Sequence, residues 1–288
     1  MAIESLRVLE KASENKDIFE VVLDSDCTDR GVSREASLEK MHALYAAIRR
    51  AREGYDPALH SASGMVGGDG AKMREYVQKG KTICGDYIGQ VIAQALEMGE
   101  SNACMKCIVA APTAGSCGVL PAVLLPYQAR EGLDDNAMVR AMYIAGAIGQ
   151  VVAAKASIAG AAGGCQAEIG TASAMGAAAL CYLGGGSAQA VCHAAAIAIK
   201  SMLGLVCDPI AGLVEVPCVK RNAAGAMIAM SSADMALAGI RSAVPPDEVI
   251  LAMREVGDKM DVSLKETGVG GVAGTPFGQK IAEKMGMA

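Results

Sequence analysis

Three cysteines offer the chemistry most worth reading in this chain. Cys165 follows Gly163-Gly164, Cys207 opens Cys207-Asp208-Pro209, and Cys218 follows Pro217. Glycine lets the backbone come close to a bulky object, and proline lacks an N–H and extends its predecessor. Soft thiolates at such breaks suit iron or zinc, and cubane clusters are built from iron and sulfide. Three thiolates rather than four would leave one iron of a cubane open to substrate, as a Lewis acid rather than an electron carrier. The competing reading of any one cysteine is a small core hydrophobe, since free Cys is among the most buried residue types. That reading suits Cys27, Cys84, Cys181 and Cys192. The Cys104-Met105-Lys106-Cys107 pair lacks a second CxxC or a Cys/His pair, so it carries little weight as a redox or zinc motif.

The elements that must position these residues read as helices. Leu38, Met41, Tyr45 and Ile48 recur at helical spacing within 33–54, with Ser33 as an N-cap. A similar pattern predicts one helix over 71–99, and Asp134-Asp135-Asn136 starts another that runs to Lys155. Residues 166–182 and 187–203 are apolar nearly all round and should be central. Helices over 222–241 and 247–257 follow, separated by Pro245-Pro246. Strand signals are confined to Val21-Val22-Leu23 and Ile108-Val109, both short. The expectation is an all-α chain, with 1–288 a single catalytic domain and residues 1–60 a more polar helical outer layer. Gly-rich breaks at Ser61–Asp69, Ala110–Gly118 and Gly268–Gly278 match neither a Walker loop nor a dinucleotide fingerprint.

Hydrophobic residues make up 52% of the chain, yet aromatics only 3%, so Ala, Gly, Val, Leu, Ile and seventeen Met must build the interior. A net charge of −5 with scattered basic residues gives no footing for nucleic acid. Ten cysteines without a secretory signal at the N-terminus point to a reducing, cytoplasmic setting. Residues 156–199 hold a single formal charge, Glu168. Their hydropathy comes from Ala, and the run Gly184-Gly185-Gly186-Ser187 breaks any span, so a buried helical layer is expected there and not a membrane.

The blocks Ala111–Leu124, Cys165 and Cys207–Asn222, with Ser61–Asp69 and Lys265–Pro276 in order around them, resemble the iron–sulfur-dependent L-serine dehydratases. The match is to the alpha subunit, or to the equivalent domain of single-chain forms, and covers nearly the whole chain. The resemblance implies a mainly helical domain in which Cys165, Cys207 and Cys218 ligate a [4Fe–4S] cluster. It implies deamination of L-serine to pyruvate and ammonia in amino-acid catabolism. It also implies a beta subunit, because the family's histidine-bearing Ser/His/Thr motif lies there and this chain has none. The cysteine tail with which some relatives occupy the fourth iron is not found at Lys284–Ala288.

Several residues are candidates for holding substrate. Thr113 and Ser116 lie in the loop before a helix start near Pro121, where free N–H groups favour anions. Ser61 and Ser63 are second choices, against the simpler role of satisfying nearby backbone. Glu168, three residues after Cys165, would share a helix face with it and needs a partner in so apolar a segment. Lys155 can meet a carboxylate or reach water from a helix end. The general base is not identified: His42, His60 and His193 each have a structural reading. Two other readings stand beside dehydration. One is a cluster-dependent lyase releasing sulfide from cysteine. The other is a non-catalytic iron–sulfur subunit with a fourth ligand from Cys104, Cys107 or Cys117.

Overall fold

The computed structural model describes residues 3–287. Among them are thirteen α-helices and no strand: α1 Leu6–Ala12, α2 Ile18–Arg30, α3 Arg34–Glu53, α4 Asp69–Gln78, α5 Gly85–Ala103, α6 Val119–Glu131, α7 Asp135–Lys155, α8 Gly160–Gly163, α9 Thr171–Leu183, α10 Ala188–Met202, α11 Cys218–Leu237, α12 Pro246–Lys259 and α13 Pro276–Lys284. The all-α expectation holds. Val21, Val22 and Leu23 lie within α2, and their apolar run faces the core.

Small side chains set the architecture. Helix α9 is buried along nearly all its length, and α7, α10 and α11 pack directly against it. Ala and Gly at these contacts let helix axes approach closely, and Met175 and Met138 fill the remaining gaps. Burial on every side removes the polar stripe that a surface helix needs, which is why periodicity is weak there. Helices α1 to α3 lay Leu6, Leu9, Leu23, Tyr45 and Ile48 onto this core. Their caps are polar: Ser5, Asp17 and Ser33 each accept a backbone N–H at a helix start.

The helix expected over 71–99 is two helices, α4 and α5, broken at Lys79–Cys84. Gly80 and Gly85 both adopt positive φ, which closes α4 and turns the chain into α5. Cys84 is exposed in this break, as is Ile83, so the core reading of that cysteine does not hold; Cys181 and Cys192 are buried. The stretch expected as one helix over 166–182 starts with a wide π turn at Gln166–Gly170 before α9. Helix α11 begins at Cys218, earlier than expected. The stretch Gly170–Cys192 divides between α9 and α10. Among the described residues α7 alone is long and apolar enough to cross a membrane, and most of it is buried in the protein.

Candidate metal centre

Cys165, Cys207 and Cys218 come from three different breaks and line one cavity, together with Gly115, Glu168, Ile169, Pro209, Val214 and Glu266. Cys165 sits where α8 ends and the π turn begins, with Gly164 at positive φ beside it. Cys207 lies in extended chain after α10, and Cys218 is the first residue of α11. All three thiols are buried. Ligand atoms of Cys165, Cys207 and Glu168 lie within 4.8 Å of one another.

Backbone bonds hold the cysteines in place. Cys207 N–H donates to Leu264 O at 2.9 Å, and Glu266 N–H donates to Cys207 O at 2.7 Å, a parallel bridge to the chain's last loop. Gln166 N–H donates to Leu205 O, which ties the Cys165 turn to the Cys207 segment. Gly160 faces this cluster of groups. A Cβ there would stand 2.6 Å from Glu168 Oε2 and 2.9 Å from Cys207 Sγ, so only hydrogen fits.

Arg221, three residues into α11 from Cys218, serves the site from behind. Its Nη1 lies 3.4 Å from Cys165 Sγ and donates to Val206 O at 2.7 Å. Its Nη2 stands 2.8 Å from Asp208 Oδ1, an ion contact without the alignment of a hydrogen bond. Asp208 Oδ2 accepts Val272 N–H at 2.7 Å and so anchors the 268–274 loop. The thiol of Cys207 hydrogen-bonds to Cys165, and this, with the Arg221 charge, outweighs burial and holds Cys165 below the usual thiol range. Donating that bond, together with burial, pushes Cys207 up. Burial raises Cys218 to about 12. Burial works against the Arg221 charge, but the neighbouring Cys165 and Asp208 more than compensate, so its guanidinium is held charged.

Glu168 Oε2 lies 3.9 Å from Cys165 Sγ and 3.8 Å from Cys207 Sγ, while Oε1 accepts the Thr113 hydroxyl at 2.8 Å. Burial pushes its carboxyl above the usual range, the Thr113 bond pulls it back, and the Glu266 charge adds to the rise. Ser116 is fully buried and exchanges hydrogen bonds with Thr113, closing the 113–116 turn on itself.

The remaining candidates lie elsewhere. Ser61 Oγ donates to Glu215 Oε2 at 2.6 Å, and Ser63 bonds to the same oxygen. These two serines pin the first Gly-rich loop to the Cys207–Cys218 segment and do not line the thiol cavity. Lys155 pairs with Asp247 at 3.8 Å, a residue that also caps α1. Cys117 is buried with its thiol toward Met98 O at 3.7 Å, and neither it, Cys104 nor Cys107 lines the cavity. None of the three histidines lines it either. Arg221, Asp208 and Glu266 escaped the sequence reading. The opposite charges placed beside Cys207 and near Cys218 were a usable signal for the first two.

The donor set fits a soft-metal cluster. Three cysteine sulfurs open on one cavity, a glycine keeps its wall free of a Cβ, and a cation stands behind one sulfur. Comparison with known proteins agrees on the kind of protein. The profile of the family described as serine dehydratase alpha chain matches residues 5–273. The L-serine dehydratase alpha chain of Peptoniphilus asaccharolyticus is 43% identical over 272 residues, 88% of this chain and 93% of that one. The probable L-serine dehydratase alpha chain of Bacillus subtilis (strain 168) is 49% identical over 245 residues, 85% of this chain and 80% of that one. L-serine dehydratase TdcG of Escherichia coli (strain K12) is 45% identical over 183 residues, 62% of this chain but 40% of its own length. With its profile matched from the first helix to the last Gly-rich loop, this chain belongs to the serine dehydratase alpha chain family.

Proposed function

We propose that this chain is the catalytic alpha subunit of a [4Fe–4S]-dependent L-serine dehydratase, converting L-serine to pyruvate and ammonia. The observation that carries this reading is the convergence of Cys165, Cys207 and Cys218 on one cavity in a member of that family. A cubane held by these three thiolates supplies a Lewis acid at its remaining iron, suited to a hydroxide leaving group.

The chain's own residues would do the rest. Arg221 offsets thiolate charge at Cys165. Glu168, oriented by Thr113, faces the thiols and presents a carboxylate to the substrate ammonium. Thr113 and Ser116 fix the turn that brings Gly115 to the cavity wall. Proton removal at the substrate α-carbon needs a base that the cavity wall lacks, since its ionisable groups are thiols and two carboxylates. In this reading a beta subunit supplies it, in keeping with the alpha chain names of the relatives and the greater length of TdcG. The protein would work in a reducing, cytoplasmic setting.

The test is anaerobic reconstitution with iron and sulfide, followed by absorption spectra of C165S, C207S and C218S. Each variant should lose most of its cluster absorbance. Normal cluster content in all three rejects the proposal. Product analysis with L-serine and L-cysteine separates dehydration from sulfide release.

A further inference from the structure

One group at this cavity has no assigned role. Glu266 lies at the rim, solvent-exposed on one side and lining the thiol cavity on the other. Its backbone is left-handed at φ 62, a conformation that L side chains rarely adopt outside turns that force it. Two contacts do force it: Glu266 N–H donates to Cys207 O, and the preceding Leu264 O receives Cys207 N–H. The carboxylate has no hydrogen-bond or ion-pair partner among the described residues. Glu168, across the cavity, is held by Thr113. The ionisable residues on the cavity wall are therefore three thiols and two carboxylates, with no lysine or arginine; Arg221 is turned to Cys165, Val206 and Asp208. Once the thiolates are engaged, the free rim charge is a carboxylate with open lone pairs.

We infer that Glu266 is a specificity-determining residue that binds the α-ammonium of an amino-acid substrate at the mouth of the cavity, opposite Glu168. This rests on the dehydratase reading for the identity of the substrate, but not for the charge logic. An ammonium offers three donors and a full positive charge, which the rim lacks. A 2-hydroxy acid of the same shape offers neither, and leaves Glu266 unpaired. The residue therefore selects amino acids over hydroxy acids. Its contact is made equally in ground and transition states, so its loss should appear in KM more than in kcat.

The test uses the reconstituted holoenzyme with its partner subunit. E266Q should raise KM for L-serine about tenfold, the loss expected of one partly exposed charge-assisted hydrogen bond, with kcat changed less than about threefold. Calorimetric titration with L-alanine and L-lactate, which lack a leaving group and differ only in amine against hydroxyl, reads the selectivity without turnover. Wild type should prefer L-alanine, and E266Q should lose most of that preference. E266G, which suits the left-handed backbone, should match E266Q in binding while unfolding at the same or a higher temperature, so a folding defect cannot explain the loss. An unchanged KM, or a retained preference for L-alanine in E266Q, overturns the inference. Absence of serine turnover in wild type sinks the dehydratase reading alone, because the alanine and lactate titrations still decide the role of Glu266.

Discussion

The interior around α9 and the wall of the thiol cavity are built on opposite rules. Around α9, helices meet through Ala, Gly and Met, nothing is charged, and position follows from volume. At the cavity every important group comes from a chain break: the α8–π turn junction, the segment before α11, the 113–116 turn and the 263–274 loop. Position there follows from buried polar bonds, such as Arg221 with Asp208, and Ser61 and Ser63 with Glu215. The lesson is a division of labour. A close-packed small-residue core gives the loops fixed anchor points, and so a site can be assembled from segments far apart in sequence. Both regions depend on a glycine at closest approach, but for different reasons: Gly225 lies against Ile169, Ser173 and Val119, and Gly160 against Glu168 and Cys207.

One methyl group placed in each region separates the two rules most sharply. G160A should reduce bound iron to about a tenth of wild type or less, because its Cβ must displace Glu168 or Cys207 Sγ, while thermal unfolding of the metal-free protein shifts little. Iron analysis after reconstitution checks this, and full iron content would show that the wall yields. R221M should come next. It strands the Asp208 charge, whose side chain is only 4% exposed, and should cost about 3 kcal/mol in denaturant unfolding. It should also loosen the 268–274 loop. G225A is the core counterpart. Overpacking against Ile169 Cγ2 at 2.8 Å should cost about 1–3 kcal/mol and leave iron content per folded molecule unchanged. If G225A instead empties the site, the core and the cavity are not independent.

The smallest effect is a pH dependence. Burial raises the Glu168 carboxyl in the folded chain above its unfolded value. The stability it contributes to the metal-free protein is therefore fully present below the unfolded value and is lost as pH rises through the folded one. E168Q should flatten that part of the metal-free stability profile and unfold later than wild type at neutral pH. Chemical denaturation across pH 4 to 8 tests the sign.

Much of this division was legible in the residues. Helical spacing marked α3, α7, α10 and α12 nearly to their ends, and the Cys–Pro neighbourhoods marked the segments that bring the thiols together. The break between α4 and α5 was missed because apolar spacing continues across Lys79–Cys84, although Gly80 and Gly85 carried the signal. The pairing of Ser61 and Ser63 with Glu215 spans more than half the chain, and local pattern holds no trace of such a contact. Glu266 was hidden for another reason: its left-handed backbone is imposed by Cys207, and nothing in a glutamate announces it.

The two-sided bridge between Cys207 and residues 264–266 makes the carboxy-terminal loop a splint for a ligating sulfur. Trimming the polypeptide ahead of Leu264 would remove both hydrogen bonds that brace that cysteine, along with the Val272 amide that Asp208 grips. A protease acting between α12 and α13 would therefore disarm the enzyme without touching a single thiol.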